Sequence, residues 1–357
     1  MLSWILWIGF VAISCLAQNA TFTRGQKFQI ILLGVPDMPK MPLPPTDAPV
    51  WDIDLFDNSA TTVATLKAPG KIVICYFSAG TAEDWREDYK DFAAADLGKV
   101  LPEWPNERWV RITSQAVRNI MAKRIKMAAD KGCDALDPDN TDGYQNNNGL
   151  NLKPTDSIAY MRFLQTEASK HSMKIGLKNS LDILPDVTPI IDFAVNEQCA
   201  QLGECQTYDN FIALNKPVFH IEYPKPLDAQ AAKGLSCTAP GVTGLSTILK
   251  SLHLDGITYY CDGSFVDTPT VNGTVPGRPS APPKPSNPPG TTVRPTSTKM
   301  TSTRTSTTTR KPTSTPGGGC TSKHWDQCGG RDWKGCTVCQ VRFFRILLVG
   351  WFDSAPH

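Results

Sequence analysis

Histidine is scarce in this chain. Five occur in 357 residues (His171, His220, His253, His324 and His357), scattered and without zinc-ligand spacing. No G-x-S-x-G elbow, P-loop or G-x-G-x-x-G turn is present either. The sequence therefore predicts neither a metal nor an organic cofactor. Long apolar runs are missing too. The one candidate, Trp4 to Leu16, falls short of the roughly 18 residues of a bilayer span and ends in small residues. It reads as a secretory signal peptide over residues 1–20, cleaved near Ala17 or Ala20, though no Lys or Arg precedes its apolar core. The expectation is a secreted, extracellular protein with no membrane partner.

Acidic residues are absent from 270–319, which carry seven Lys/Arg; 320–357 hold five basic residues against three acidic. Removing both leaves 24 Lys/Arg against 31 Asp/Glu in residues 1–269, a balance of −7. An acidic body argues against nucleic acid and favours a cationic or neutral ligand. The stretch 269–319 is Pro, Thr, Ser and Gly with isolated basic residues, a composition that buries no core and reads as a disordered, O-glycosylated linker. It separates a body of residues 21–268 from a C-terminal piece, 320–357.

Cysteine is present in a telling pattern. Cys15 leaves with the signal, six lie in the body, and four crowd the end. An even set in a secreted body points to disulfides, with Cys199–Cys205 and Cys237–Cys261 as expected local clips. Cys75 and Cys133, both in apolar runs, fit buried thiols as well as a third bridge.

The body alternates strand-like and helix-like runs. Eight strands are expected, at Trp51–Phe56, Lys71–Phe77, Trp109–Thr113, Cys133–Asp139, Lys174–Asn179, Asp192–Glu197, Pro217–Tyr223 and Gly256–Tyr260, with an extra one, Phe28–Leu32, ahead of them. Apolar residues at helical spacing predict helices over Ser114–Lys131, with Gly132 as a stop, and Thr155–His171. This repeat predicts an α/β fold, a (β/α)8 TIM barrel, with a doubly wound open sheet as the alternative.

A barrel places its site at the C-terminal strand ends. Those ends carry Asp54, Tyr76, Asp137, Asp139, Asn140, Lys178, Asn179, Glu197, His220, Glu222, Tyr223 and Tyr260. Within Cys133–Tyr144 (CDALDPDNTDGY), strand alternation puts Ala135, Asp137 and Asp139 on one face. Adjacent carboxylates repel, which fits acid/base chemistry or a cation site; the plain alternative is a solvated acidic turn. A calcium loop at Asp137–Asp142 lacks the bidentate Glu at its twelfth position. Carboxylates, amides and tyrosines together suit a sugar site, where carboxyls supply acid, base or nucleophile and rings stack on sugars.

Read in order, IVICYFSAG, CDALDPDNTDGY, GLKNS, FAVNEQC and FHIEY resemble glycoside hydrolase family 114, the endo-α-1,4-polygalactosaminidases, from about Phe28 to Cys261. The resemblance implies a (β/α)8 barrel cutting α-1,4-linked galactosamine. It implies a catalytic pair, Asp139 of P-D-N and Glu197 of N-E-Q, closing the fourth and sixth strands. Ser180 departs from the Asp that usually follows L-K-N in the family. Substrate contacts are expected from Asp54, Tyr76, Asp137, Asn140, Asn179, Glu222, Tyr223 and Tyr260. A non-catalytic wall-binding protein on the same barrel is the runner-up, and a cellulase is suggested only by the tail.

The segment HWDQCGGRDWKGCTVC resembles the first half of a fungal cellulose-binding module, with Trp325 at its first stacking aromatic and Cys328 and Cys339 at its first two cysteines. The continuation VRFFRILLVGWFDSAPH brings no further cysteine, so 320–357 reads as a degenerate or mis-spliced module with a weak cellulose contact through Trp325.

Overall fold

A computed structural model of the protein describes residues 20–272. The expected signal peptide, nearly all of the linker and the C-terminal module lie outside the described residues.

Eight short strands follow one another in parallel: β1 (Phe28–Ile31), β2 (Val50–Asp54), β3 (Ile72–Ser78), β4 (Ala135–Asp139), β5 (Lys174–Lys178), β6 (Phe193–Glu197), β7 (Val218–Glu222) and β8 (Ser246–Leu249). Each pairs with the next. Antiparallel β9 (Ile257–Tyr260) and β10 (Phe265–Asp267) bring the sheet to ten strands. Every residue of β1, β2 and β7 is buried, as parallel strands covered on both faces require. On the concave face Phe28, Ile30, Val50, Ile74, Phe193 and Phe219 form one apolar cluster, with the Phe28 and Phe219 rings 4.9 Å apart.

The outer layer is helical. Helix α1 (Ala60–Lys67) starts where Thr62 N–H donates to Ser59 Oγ at 3.1 Å. Helix α2 (Gln115–Lys131) buries Val117, Ile120, Met121, Ile125 and Ala128, the predicted face. It ends at Gly132, whose φ of 85° lets its N–H turn back onto Ala128 and Ala129 carbonyls. Helix α3 (Pro154–Ser169) starts where Asp156 accepts the Lys153 N–H at 2.9 Å.

The expected closed barrel is corrected. Among the described residues no ladder joins β9 or β10 back to β1, so the sheet is curled but open. The place where a ladder would close is bridged piecemeal: Leu32 and Leu33 N–H donate to the Leu254 carbonyl, and Tyr260 Oη donates to the Phe28 carbonyl at 3.0 Å. Gln29 Oε1 accepts from both Thr258 Oγ1 (2.8 Å) and Lys250 Nζ (3.2 Å), while its amide donates to Thr268 Oγ1 at 2.8 Å. Trp109–Thr113 is also corrected. Glu107–Val110 is a strand, but it pairs antiparallel with Thr81–Glu83 and Leu97–Val100 in a separate side sheet inserted between β3 and α2. The eighth parallel strand is Ser246–Leu249, and Gly256–Tyr260 returns antiparallel to it.

All three body disulfides form: Cys75–Cys133, Cys199–Cys205 and Cys237–Cys261. Cys75–Cys133 is thus a bridge and not a pair of thiols. It spans 58 residues, which chain entropy values at about 4 kcal/mol.

Candidate active site

The inward alternation of β4 holds: Ala135 pairs with Ile74, Asp137 with Tyr76, and Asp139 with Ser78. Asp139 therefore rises at the rim of the concave face, directly above Asp137. On β6, Val195 lies in the inner cluster, so Glu197 two residues on also points inward at the rim.

Lys178, the last residue of β5, lies between them. Its Nζ is 3.4 Å from Asp139 Oδ1, 3.5 Å from Glu197 Oε2 and 4.0 Å from Asp137 Oδ2. Burial pushes this ammonium down, but Asp139, Glu197, Asp137 and Asp52 together outweigh it and hold it well above lysine's ordinary value. Because one nitrogen touches both, the facing oxygens Asp139 Oδ1 and Glu197 Oε2 lie no further apart than roughly 7 Å, the sum of the two distances, which brings the two carboxylates onto opposite sides of one site.

Further donors hold each carboxylate. Asp139 accepts from Tyr76 Oη and from the Asn140 N–H, both at 2.8 Å. Glu197 accepts from Tyr223 Oη and from Asn179 Nδ2 at 3.2 Å, while its own N–H donates to Asn179 Oδ1 at 2.8 Å. Asn140 and Asn179 follow their strands at φ 60° and 47°, the left-handed region that asparagine tolerates best after glycine. That reversal turns both amides back onto the rim.

The expected contacts divide. Tyr76, Asn140, Asn179 and Tyr223 line a cleft of about 420 Å3 with Asp139, Lys178 and Glu197. Asp54 reaches its floor, but its carboxylate is taken by Arg86 in a two-bond fork (3.1 and 2.6 Å) and by the N–H groups of Phe56 and Asp57. Asp137 lies beneath the cleft, fully buried, its carboxyl paired with that of Asp52 and 4.0 Å from Lys178 Nζ. Burial, opposed by Lys178, pushes it up to about 7; Asp52, on β2, is raised well above its ordinary value by burial and by Asp137.

Glu222 does not reach the cleft. Its Oε1 meets His220 Nε2 at 2.9 Å and the Ala200 N–H at 2.8 Å, so it fixes the turn after Glu197 from behind. Tyr260 does not reach it either. It lines a separate cavity with Lys27 and Cys261, since an antiparallel strand ends where its parallel neighbours begin. Cys199, Cys205 and His220 bring potential metal-ligand atoms within 4.8 Å of one another, but both sulfurs are consumed in a disulfide.

Sequence reading missed the opposite wall. Trp85, Trp104, Glu103 and Glu107, from the side sheet and its connecting loops, line the same cleft, as do Asp142 and His253. Burial and then Asp139 push Asp142 up to about 6.

The family model for glycoside-hydrolase family GH114 matches residues 13–266, and the model for a fungal cellulose binding domain matches residues 324–342. No match is found among curated proteins. Among solved structures, the Aspergillus fumigatus Ega3 complex with galactosamine is 45% identical, covers 69% of this chain and 98% of its own, and gives a TM-score of 0.64. The glycoside hydrolase domain of PelA from Pseudomonas aeruginosa shares the fold at 15% identity, with a TM-score of 0.52 and coverage of 66% and 98%. With the family model spanning well over half of the chain, this protein is a glycoside hydrolase belonging to family GH114.

Proposed function

We propose that this protein is a secreted endo-glycosidase that hydrolyses α-1,4-linked galactosamine polymers, with Asp139 as nucleophile and Glu197 as general acid and base. The observation that carries the proposal is the pair of rim carboxylates held on one buried ammonium, Lys178. Asp139, on the shorter side chain and held by a tyrosine, a backbone N–H and Lys178, is fixed to its strand end as a nucleophile must be. Glu197 is the more exposed of the two side chains (24% against 17%) and one methylene longer, which suits a group that serves the leaving oxygen and then water.

In the first step Asp139 attacks the anomeric carbon while Glu197 gives its proton to the departing glycosidic oxygen, leaving a glycosyl ester on Asp139. In the second, the Glu197 carboxylate takes a proton from water. The hydroxide so formed displaces Asp139 with a second inversion, and the α configuration returns. The galactosamine in the Ega3 complex supports the sugar class, and the −7 balance of residues 1–269 suits its ammonium groups. A weak cellulose contact through Trp325 belongs to the same proposal.

Incubating the secreted chain with partly deacetylated α-1,4-galactosaminan tests it. Medium-length oligomers whose new reducing ends appear first as the α anomer by NMR are expected. Initial release of β anomers would overturn the nucleophile assignment, and an unshortened polymer would overturn the activity.

A further inference from the structure

Facing the catalytic rim, the side sheet presents rings and carboxyls that no step above uses. Trp104 is 42% exposed on the cleft wall, and Trp85 lies beside it in the lining. Glu83 and Glu107 sit opposite each other in register on adjacent antiparallel strands, both buried. They are not equivalent. Glu83 is tied by both its oxygens to the Arg86 guanidinium, at 2.9 and 3.0 Å. Glu107 has only the Thr81 hydroxyl, at 2.9 Å on Oε2, and among the described residues no bond to its Oε1.

From this asymmetry we infer that Glu107, framed by Trp85, Trp104 and Glu103, is a subsite for the ammonium group of a galactosamine unit next to the one being cleaved. The inference rests on the galactosamine reading of the preceding subsection. A sugar ring lying against an indole turns its equatorial substituents outward to neighbouring acceptors, and a buried carboxylate lacking a cation is completed by an ammonium. A neutral N-acetyl group offers no such charge, so the subsite selects for deacetylation at this position.

The site also carries its own reporter. Burial, and then the Glu83 charge, push Glu107 up to about 8, so the free protein holds a proton there at pH 7. The groups facing it are Glu83 and Arg86 from the same insertion, Tyr76 from β3 and Asp139 from the rim, with Glu103 and His253 further round the cleft. An arriving ammonium favours the carboxylate and expels that proton into solvent.

Titration calorimetry on the full chain tests this, using Glu197→Gln to prevent turnover. A galactosamine oligomer is titrated at pH 7 in two buffers of different ionisation heat. Binding is expected to release close to one proton. Adding Glu107→Gln, which keeps the Thr81 bond, should abolish the release and weaken binding by about 10- to 100-fold. Trp104→Ala, at an exposed position, should weaken binding of both acetylated and deacetylated oligomers, whereas Glu107→Gln leaves the fully acetylated oligomer unaffected. If Glu107→Gln binds the deacetylated oligomer as tightly as its parent, with the same proton release, the subsite is overturned while turnover by the wild type keeps the galactosamine reading. If the wild type neither cleaves nor binds the polymer, both fall together.

Discussion

Two lysines are buried at strand ends of the same sheet, Lys178 closing β5 and Lys250 just past β8, and their chemistry is opposite. Burial pushes both ammonium groups down. At Lys178 four carboxyl groups, Asp139, Glu197, Asp137 and Asp52, reverse that push and hold the proton firmly. At Lys250 the partners are neutral: Gln29 Oε1 at 3.2 Å, Thr258 Oγ1 at 2.9 Å and the Asp255 carbonyl at 2.6 Å. Burial wins there, against only the more distant Asp255 charge, and the group falls to about 7. Equal burial therefore says nothing about role; the charge of the partners does. The first lysine orders an anionic site. The second ties β1 to β9 across the open seam of the sheet.

Breaking the first environment should have the largest effect. Asp139→Asn or Glu197→Gln removes one carboxylate from the Lys178 cluster and one of the two groups proposed to carry the hydrolysis, so kcat should fall at least about a thousandfold. Lys178 keeps its other anions, so the melting temperature should move little. A variant retaining a tenth of the wild-type rate would remove that residue from the reaction. Lys178→Met reverses the pattern. It leaves Asp137, Asp139 and Glu197 facing one another without a cation, and breaking a buried pair costs about 3–5 kcal/mol. Denaturant unfolding should show that loss together with impaired activity. An unchanged midpoint would mean that the three carboxyls shed their repulsion simply by binding protons.

The Lys250 environment is sharpened by pH. Its folded value of about 7 lies below the ordinary 10.5, so between these limits the unfolded chain binds the extra proton and stability rises with pH. Lys250→Met removes this dependence. Its stability relative to wild type should be most favourable at pH 7 and below, and should decline by about 1.4 kcal/mol per unit as pH rises toward 10. Parallel curves for the two proteins would show that Lys250 is charged in the folded state. Asp137, pushed up to about 7, has the opposite sign: the folded state holds its proton longer, so stability falls between about pH 4 and 7. The two windows meet near neutrality.

Much of the rim was legible because it obeys strand alternation. Once Ala135 faced the core, Asp137 and Asp139 had to follow, and with them the placing of Asp139 on the cleft rim. What alternation cannot encode is depth or direction. Asp137 and Asp139 share a face, yet one is sealed beneath Lys178 and the other opens to the cleft. Tyr260 looked like a rim residue until β9 proved antiparallel. Glu107–Val110 carried a correct strand signal, but nothing local distinguishes pairing within an insertion from pairing in the main sheet, so the Trp104 and Glu107 wall went unseen. Lys178 was visible at its strand end, but its role depends on contacts with residues 39 and 19 positions away, beyond any local pattern. The closed barrel failed for a related reason: strand count does not reveal whether the last edge meets the first through a ladder or through side chains such as Gln29.

The smallest expected effect probes that edge. Thr258 Oγ1 donates to Gln29 Oε1 and accepts from Lys250, so it links β9, β1 and the residue after β8 in one buried network. Thr258→Val keeps the shape and deletes both bonds. Gln29 Oε1 keeps Lys250 as a donor, so no acceptor there is orphaned, and the expected loss is about 1–2 kcal/mol. It should appear as a lower denaturation midpoint with an unchanged slope. Lys250, left with two acceptors, should hold its proton less well, moving the onset of its pH window below 7. Catalysis should stay intact, because the Lys178 cluster shares none of these atoms. A loss as large as that of Lys178→Met would mean that the seam, and not the inner Phe cluster, holds the sheet curled.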